Sequence, residues 1–286
     1  MMKRVDGIGW IFFQAGNSKK ENKIMSINSR KVDAASYLKR IGYRGPLIPH
    51  IDVLRRLHHR HLLSVPFENL DIHLGRPIIL DQRLFYKKIV ENRRGGYCYE
   101  LNGCFAWLLK RLGFKVSMVS ARVAKKEGGF SPDFDHLTLL VRLGECWLVD
   151  VGFGNLFTEP KRVDSTDAQQ DKGEAYRIVS KGKTRLLLRR SADQTTWKPQ
   201  YEFTLRPRKL ADFAERNRYQ QTSPRSHFTQ GRLISKLTPM RRVTLTDEKL
   251  ILTERGKRVE HLVKDQREFN GYWAKHFKLL LPRRGL

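Results

Sequence analysis

Hydrophobic and polar positions change their period twice along the chain. From residue 34 onward the segment SYLKRIGYRGP has apolar residues at helical spacing and predicts a short helix, closed by Gly42 and Gly45-Pro46. Val53, Leu54 and Leu57 repeat that spacing within 52–63, Pro66 breaks it, and 81–91 predicts another amphipathic helix. The clearest stripe is Leu101, Cys104, Phe105, Leu108, Leu109 and Leu112, whose steps of three and four mark one buried helix face, with Gly113 as its C-terminal cap. Beyond Gly113 the period shortens. Segments 115–123, 136–143 and 146–152 hold apolar or alternating runs bounded by Gly, Pro and Asp, which predict strands. A polar loop is expected over 158–174, then strands over 175–181, 184–190 and 200–205. From residue 210 the two periods mix, with helix over 211–217 and 265–276 and strand over 231–237 and 241–246. Helices, a β region and a mixed tail make an α+β chain without internal repeats.

Composition narrows the class. A chain of 286 residues, 40% hydrophobic and 10% aromatic, can bury a real core and is neither disordered nor collagen-like. No apolar run approaches the roughly 20 residues of a membrane-spanning helix. Three cysteines leave one over in any disulfide scheme, and no pair has metal-ligand spacing, so no metal site and a reducing, cytoplasmic setting are expected. Lys+Arg 56 against Asp+Glu 29 gives +27, which favours anionic partners: nucleic acid, acidic lipid or a phosphate-bearing cofactor. Without zinc-finger spacing, an RNP-like motif or a basic tail, a generally basic surface is expected and nucleic-acid binding is not. Residues 1–24 break the pattern. Their apolar patch is too short for a signal peptide, so they read as a flexible leader, with Met25 as an alternative start.

Three groups could carry chemistry. His58, His59 and His61 cannot converge on one helix face and have no acidic neighbour, so they are expected to be surface histidines rather than metal ligands. Cys98 lies in the first helical turn after Gly95-Gly96, where unpaired N–H groups and the positive end of the helix favour a thiolate nucleophile; a buried structural cysteine is the alternative. Cys104 belongs to the core stripe and Cys146 to strand packing. A thiolate nucleophile needs a base and a group that orients the base. His136 opens the strand HLTLLVRL, and Asp150 interrupts an apolar run where a carboxylate is costly without a partner. Parity decides whether they meet. A two-residue turn at Gly144-Glu145 sets Leu139 opposite Asp150 and turns His136 away, whereas a three-residue turn over 143–145 sets Thr138 opposite Asp150 and puts His136 on the same face. A Cys98-His136-Asp150 triad therefore demands an odd turn or a bulge. Without it, His136 is a strand-end histidine bonded to backbone.

At these residues the chain resembles the arylamine N-acetyltransferase family. Arg94-Gly95-Gly96-Tyr97-Cys98-Tyr99-Glu100-Leu101-Asn102 is similar to its RGG-x-C-x-E-x-N signature, and Val65-Pro66-Phe67-Glu68-Asn69-Leu70 to its (I/V)PFENL stretch. Asp135-His136-Leu137 and Val149-Asp150-Val151-Gly152-Phe153-Gly154 match its histidine and aspartate motifs, with weaker likeness at Tyr201, Phe203 and 222–228. The resemblance implies a helical bundle over 25–114 bearing Cys98, a β-barrel over 115–217 bearing His136 and Asp150, and an α/β lid over 218–286. It implies acetyl-CoA as donor, an arylamine, arylhydroxylamine or hydrazine as acceptor, a ping-pong reaction through acetyl-Cys98, and a role in xenobiotic metabolism. Gly128, Gly129, Gly152 and Gly154 would let backbone come close to donor or substrate, and by motif position Phe67, Phe153 and Phe157 would line the acceptor pocket; plain loops and plain aromatic core are the alternatives. Rival readings are an amide synthase of the same family acting on a polyketide chain, a cysteine peptidase or transglutaminase-like enzyme, and a basic nucleic-acid-binding protein.

Overall fold

A computed structural model describes residues 32–191, 194–255 and 257–277; the leader expected over 1–24 and Met25 lie outside them. Helices come first: α1 (Ala34–Arg40), α2 (Ile51–Ser64), the short α3 (Leu70–His73), α4 (Gln82–Tyr86) running into a π turn (Lys87–Glu91), and α5 (Cys98–Arg111). Two of their starts are capped by aspartate side chains. Asp33 accepts from Ser36 N at 2.8 Å, and Asp81 accepts from the backbone of Arg83 and Leu84. Gly113, with φ 86°, ends α5 as expected. That helix is buried nearly all round, so it forms the axis of the helical region rather than a surface layer.

The central region is an eight-stranded antiparallel sheet of β2 (Lys115–Val123), β3 (His136–Leu143), β4 (Glu145–Val149), β5 (Lys161–Arg162), β6 (Gln169–Asp171), β7 (Glu174–Lys181), β8 (Thr184–Ser191) and β9 (Lys198–Thr204). Its order, β5-β4-β3-β2-β9-β8-β7-β6, curls round a core that includes Val119, Leu140, Leu148, Tyr176, Leu187 and Tyr201. The end strands are stitched by side chains. Lys161 Nζ donates to Asp171 at 2.8 Å, and the Gln169 amide bonds the backbone of Arg162 in both directions. This nearly closed sheet is the barrel.

After a 3-10 turn (Leu210–Phe213), α6 (Ala214–Thr222) and α7 (His227–Gln230), a second sheet forms from β10 (Leu233–Leu237), β11 (Arg242–Thr246), β12 (Lys249–Glu254) and β13 (Lys257–Leu262). Its first strand is β1 (Phe67–Glu68), so the stretch 65–70 ties the helical region to the lid. Helix α8 (Gln266–His276) covers one face of this sheet, with Phe269 and Trp273 against Ile234, Val243, Leu245 and Leu250.

Several expectations need correction. His58 and His61 are fully buried and not surface residues, because each finds polar partners inside: Tyr37 OH for His61, and two backbone carbonyls for His58. The polar loop over 158–174 contains β5 and β6, and its Lys161 and Asp171 are buried as a pair. The strand expected over 146–152 ends at Val149, leaving Asp150 in the following turn. Strands β12 and β13 were not anticipated.

Candidate active site

Three elements converge on one buried point. Helix α5 brings Cys98 at its first residue, β3 brings His136 at its first residue, and the turn after β4 brings Asp150. The hairpin has the odd turn that the triad requires. Leu143 pairs with Glu145 around Gly144 (φ 85°), and continuing that register sets Thr138 opposite Asp150. The Thr138 hydroxyl donates to Val149 O at 3.2 Å. His136 and Asp150 thereby share a face.

His136 Nε2 lies 2.7 Å from Asp150 Oδ2, and the Cys98 side chain hydrogen-bonds the same imidazole. With Nε2 committed to the carboxylate, Nδ1 is the nitrogen left for sulfur. All three residues are less than 5% exposed. Asp150 receives three further donors: Tyr201 OH at 3.1 Å on Oδ2, and Asn102 Nδ2 and Gly152 N, each 2.9 Å from Oδ1. Burial alone would raise the Asp150 carboxyl, but the His136 charge and these hydrogen bonds hold it below the usual carboxylate range. Burial alone would lower His136; the Asp150 charge and hydrogen bond override it and push the imidazole up to about 10. The pair stabilises the fold between those limits: its contribution fades as pH rises through about 10, or falls through the lowered carboxyl.

Asn102 and Tyr201 lie within the motifs, but the sequence alone assigns neither a role. Asn102 lies one helical turn after Cys98, so it shares the face toward the barrel. Its Nδ2 also donates to Leu137 O at 2.7 Å, and its Oδ1 accepts from Val151 N at 2.9 Å. One amide thus locks β3, Asp150 and Val151 to the nucleophile helix. A polar residue in an otherwise apolar inner face was the signal that could have found it.

The glycines and aromatics divide. Gly152 packs on the helix itself: a Cβ there would lie 2.9 Å from Cys98 Cα and 2.7 Å from Asn102 Nδ2. Gly154 (φ 93°) faces the Phe67 ring, 3.4 Å from where its Cβ would be. Phe153 stands edge-on to His136, centroids 5.2 Å apart, and Phe67 and Tyr97 both meet Phe228. Phe157 lies deeper, in the barrel core, stacked on His58 at 5.8 Å. Gly128 and Gly129 form an exposed turn, with no other atom within 4 Å of where a Cβ would be. No group of three or more His, Cys, Asp or Glu among the described residues could hold a metal.

The start of α5 rests on buried charge. Arg94 pairs with Glu68 (2.8 Å) and Asp71 (3.0 Å), and Lys88 with Asp71 and Glu100, each at 2.8 Å. Glu100 accepts from Tyr97 N at 3.1 Å, capping the helix one residue before Cys98. Burial raises the Glu100 carboxyl, Lys88 opposes it, and the outcome is about 7.

Comparisons with known proteins agree with this geometry. A family model described as N-acetyltransferase matches residues 50–286. The arylamine N-acetyltransferase of Mycolicibacterium smegmatis is 35% identical over 238 residues, 81% of this chain and 86% of that protein. An arylamine N-acetyltransferase / N-hydroxyarylamine O-acetyltransferase of Salmonella typhimurium is 34% identical, covering 79% of this chain and 81% of the relative. Among solved structures, Mycobacterium marinum arylamine N-acetyltransferase in complex with CoA superposes with a TM-score of 0.80 at 32% identity, covering 86% of this chain and 93% of that one.

Proposed function

The chain belongs to the arylamine N-acetyltransferase family, and from that premise we propose that it carries an acetyl group from acetyl-CoA to an arylamine, arylhydroxylamine or hydrazine by way of Cys98. The observation that carries the proposal is one imidazole bonded to Cys98 on one side and to the Asp150 carboxylate on the other, inside a buried aromatic site.

The chemistry divides into two halves. Cys98 sulfur, its proton held by His136, attacks the thioester carbonyl. The tetrahedral adduct collapses, the C–S bond to CoA breaks, and His136 returns the proton to the departing CoA sulfur. The amine nitrogen then attacks acetyl-Cys98, His136 takes the amine proton, and the C–S bond to Cys98 breaks to leave amide and free enzyme. Asp150 keeps the imidazole oriented and offsets its charge throughout. The walls suit the acceptor class. An arylamine nitrogen is uncharged near neutral pH, so it can enter among Phe67, Phe153 and Phe228 without the desolvation that an alkylammonium would suffer. A reducing cytoplasm suits a free cysteine at the reaction centre.

Mass spectrometry after mixing with acetyl-CoA alone should find one acetyl group on Cys98 and none on Cys104 or Cys146, and an added arylamine should remove it. Double-reciprocal plots should be parallel. Intersecting lines with no acetyl-protein would mean direct transfer in a ternary complex and would end this reading. Turnover of simple arylamines also separates it from an amide synthase confined to a polyketide chain.

Positive charge gathers where a polyanionic donor could use it. A cavity of about 740 Å³ lies between the barrel rim and the lid sheet. Lys172, Arg189, Arg241, Arg242, Arg255 and Arg258 line it against only Asp171, Glu174 and Glu254. Arg242 borders it while donating to the carbonyls of Gly154 and Leu156, in the loop that leaves the reaction centre. Added salt should therefore lower kcat/KM for acetyl-CoA more steeply than for a neutral arylamine, and Arg241→Gln with Arg258→Gln should raise KM for acetyl-CoA several-fold. Equal salt responses for the two substrates would detach this charge from donor capture.

A further inference from the structure

The whole of the His58 ring is buried, and both of its nitrogens face acceptors. Nδ1 lies 3.0 Å from the carbonyl oxygen of Thr158, and Nε2 lies 3.1 Å from the carbonyl oxygen of Asp150. A neutral imidazole has one N–H and one lone pair. In that form one of these contacts would set a lone pair against a carbonyl oxygen at hydrogen-bond distance, too close for a water to lie between. Turning the ring over does not help, since carbon would then press on both oxygens. Only the doubly protonated ring satisfies both.

We propose that His58 is a positioning residue held as an imidazolium. Its two N–H groups clamp the ends of the segment 150–158 to helix α2, and its charge stands directly behind the Cys98-His136-Asp150 group. The clamped segment carries Gly152 under Cys98 and Phe153 against His136. The charge has a further use, which rests on the triad reading above. Thiolate, imidazolium and carboxylate together carry one net negative charge in a buried site, and a second imidazolium brings the group to neutrality. The Phe157 ring, stacked on His58 with planes 20° apart, offers its face to the cation, and Phe105 meets the ring edge-on.

Charged groups near His58 along the chain or in space are Arg55, His59 and His61 on its own helix, and Asp150, Glu159, Lys161 and Asp171 from the barrel. Lys161 is neutralised by Asp171 at 2.8 Å, and burial holds His61 well below the usual histidine range. Burial pulls His58 the same way and outweighs the two carbonyls and the carboxylates of Asp150 and Asp171, so that electrostatics alone would leave the ring at about 4. The hydrogen-bond geometry stands against that balance, because the neutral ring has no arrangement that satisfies both neighbours.

Nitrogen-15 NMR of the ligand-free, full-length protein at about pH 7.5 reads the ring directly. Two protonated nitrogens on His58 are expected, and a single protonated nitrogen overturns the proposal. The spectrum needs no substrate, so it stands or falls apart from the acetyl-transfer reading. His58→Gln keeps a donor but loses the charge. Its kcat/KM should fall about tenfold, and the acid limb of its pH profile should move up by about one unit, because Asp150 loses a neighbouring cation. An unmoved acid limb in a His58→Gln variant that melts like the parent would also overturn the proposal.

Discussion

Cys98→Ser is expected to lower kcat/KM about a thousandfold or more while leaving the fold intact. Serine fits the site, since Cys98 is packed by α5 and Gly152 and is in no disulfide. What changes is the attacking atom. A hydroxyl holds its proton far more tightly than a thiol, so His136 must remove it in the transition state with little ground-state help. A thousandfold loss corresponds to about 4 kcal/mol of transition-state stabilisation. Circular dichroism and melting temperature should match the parent, and acetyl-protein should be absent. Substantial turnover by this variant would mean that another group carries the acetyl.

The largest loss of stability is expected from Arg94→Met. Its guanidinium is the closest cation to Glu68, which is fully buried; the next, Lys88, stands 3.9 Å away and is already shared with Asp71 and Glu100. Removing Arg94 leaves three carboxylates around one ammonium. Breaking a buried pair in this way costs about 3–5 kcal/mol, more than the pair itself contributes, because the stranded charge stays desolvated. A fall in melting temperature on the order of 10 °C should follow. Arg94→Lys, which keeps a charge, should recover part of it. A destabilisation under about 1 kcal/mol would show that Glu68 and Asp71 are not held by Arg94. Glu100 belongs to the same cluster and caps α5, so the variant should also lose activity before it unfolds.

The positions of these groups differ in how plainly the sequence announced them. Helix α5 was legible because its inner face repeats at helical spacing, and the hairpin because parity limited how His136 and Asp150 could meet. His58 and His61 were not. A histidine's partners decide whether it is buried, and the carbonyls of Asp150 and Thr158 are about a hundred residues distant along the chain. Lys161 and Asp171 misled for the same reason: two charges in a polar stretch read as loop until they are seen to close the barrel seam. Strand β13 failed differently. Every residue of Lys257–Leu262 is exposed, so no buried face imposes alternation on the sequence. Asn102 was within reach, since a polar side chain one turn from the nucleophile needs a partner wherever the helix is buried.

The turn at Gly144 sets a rule for how this enzyme can change over evolutionary time. Side chains alternate between faces along β3 and β4, so His136 and Asp150 meet only while the two strands keep their present pairing. An insertion or deletion of one residue within either strand would carry one of them to the opposite face and leave the fold otherwise plausible, with its chemistry lost. The turn itself can take up an added residue without moving the pairing. Length can thus vary at Gly144 and is excluded on the strands that carry the two residues.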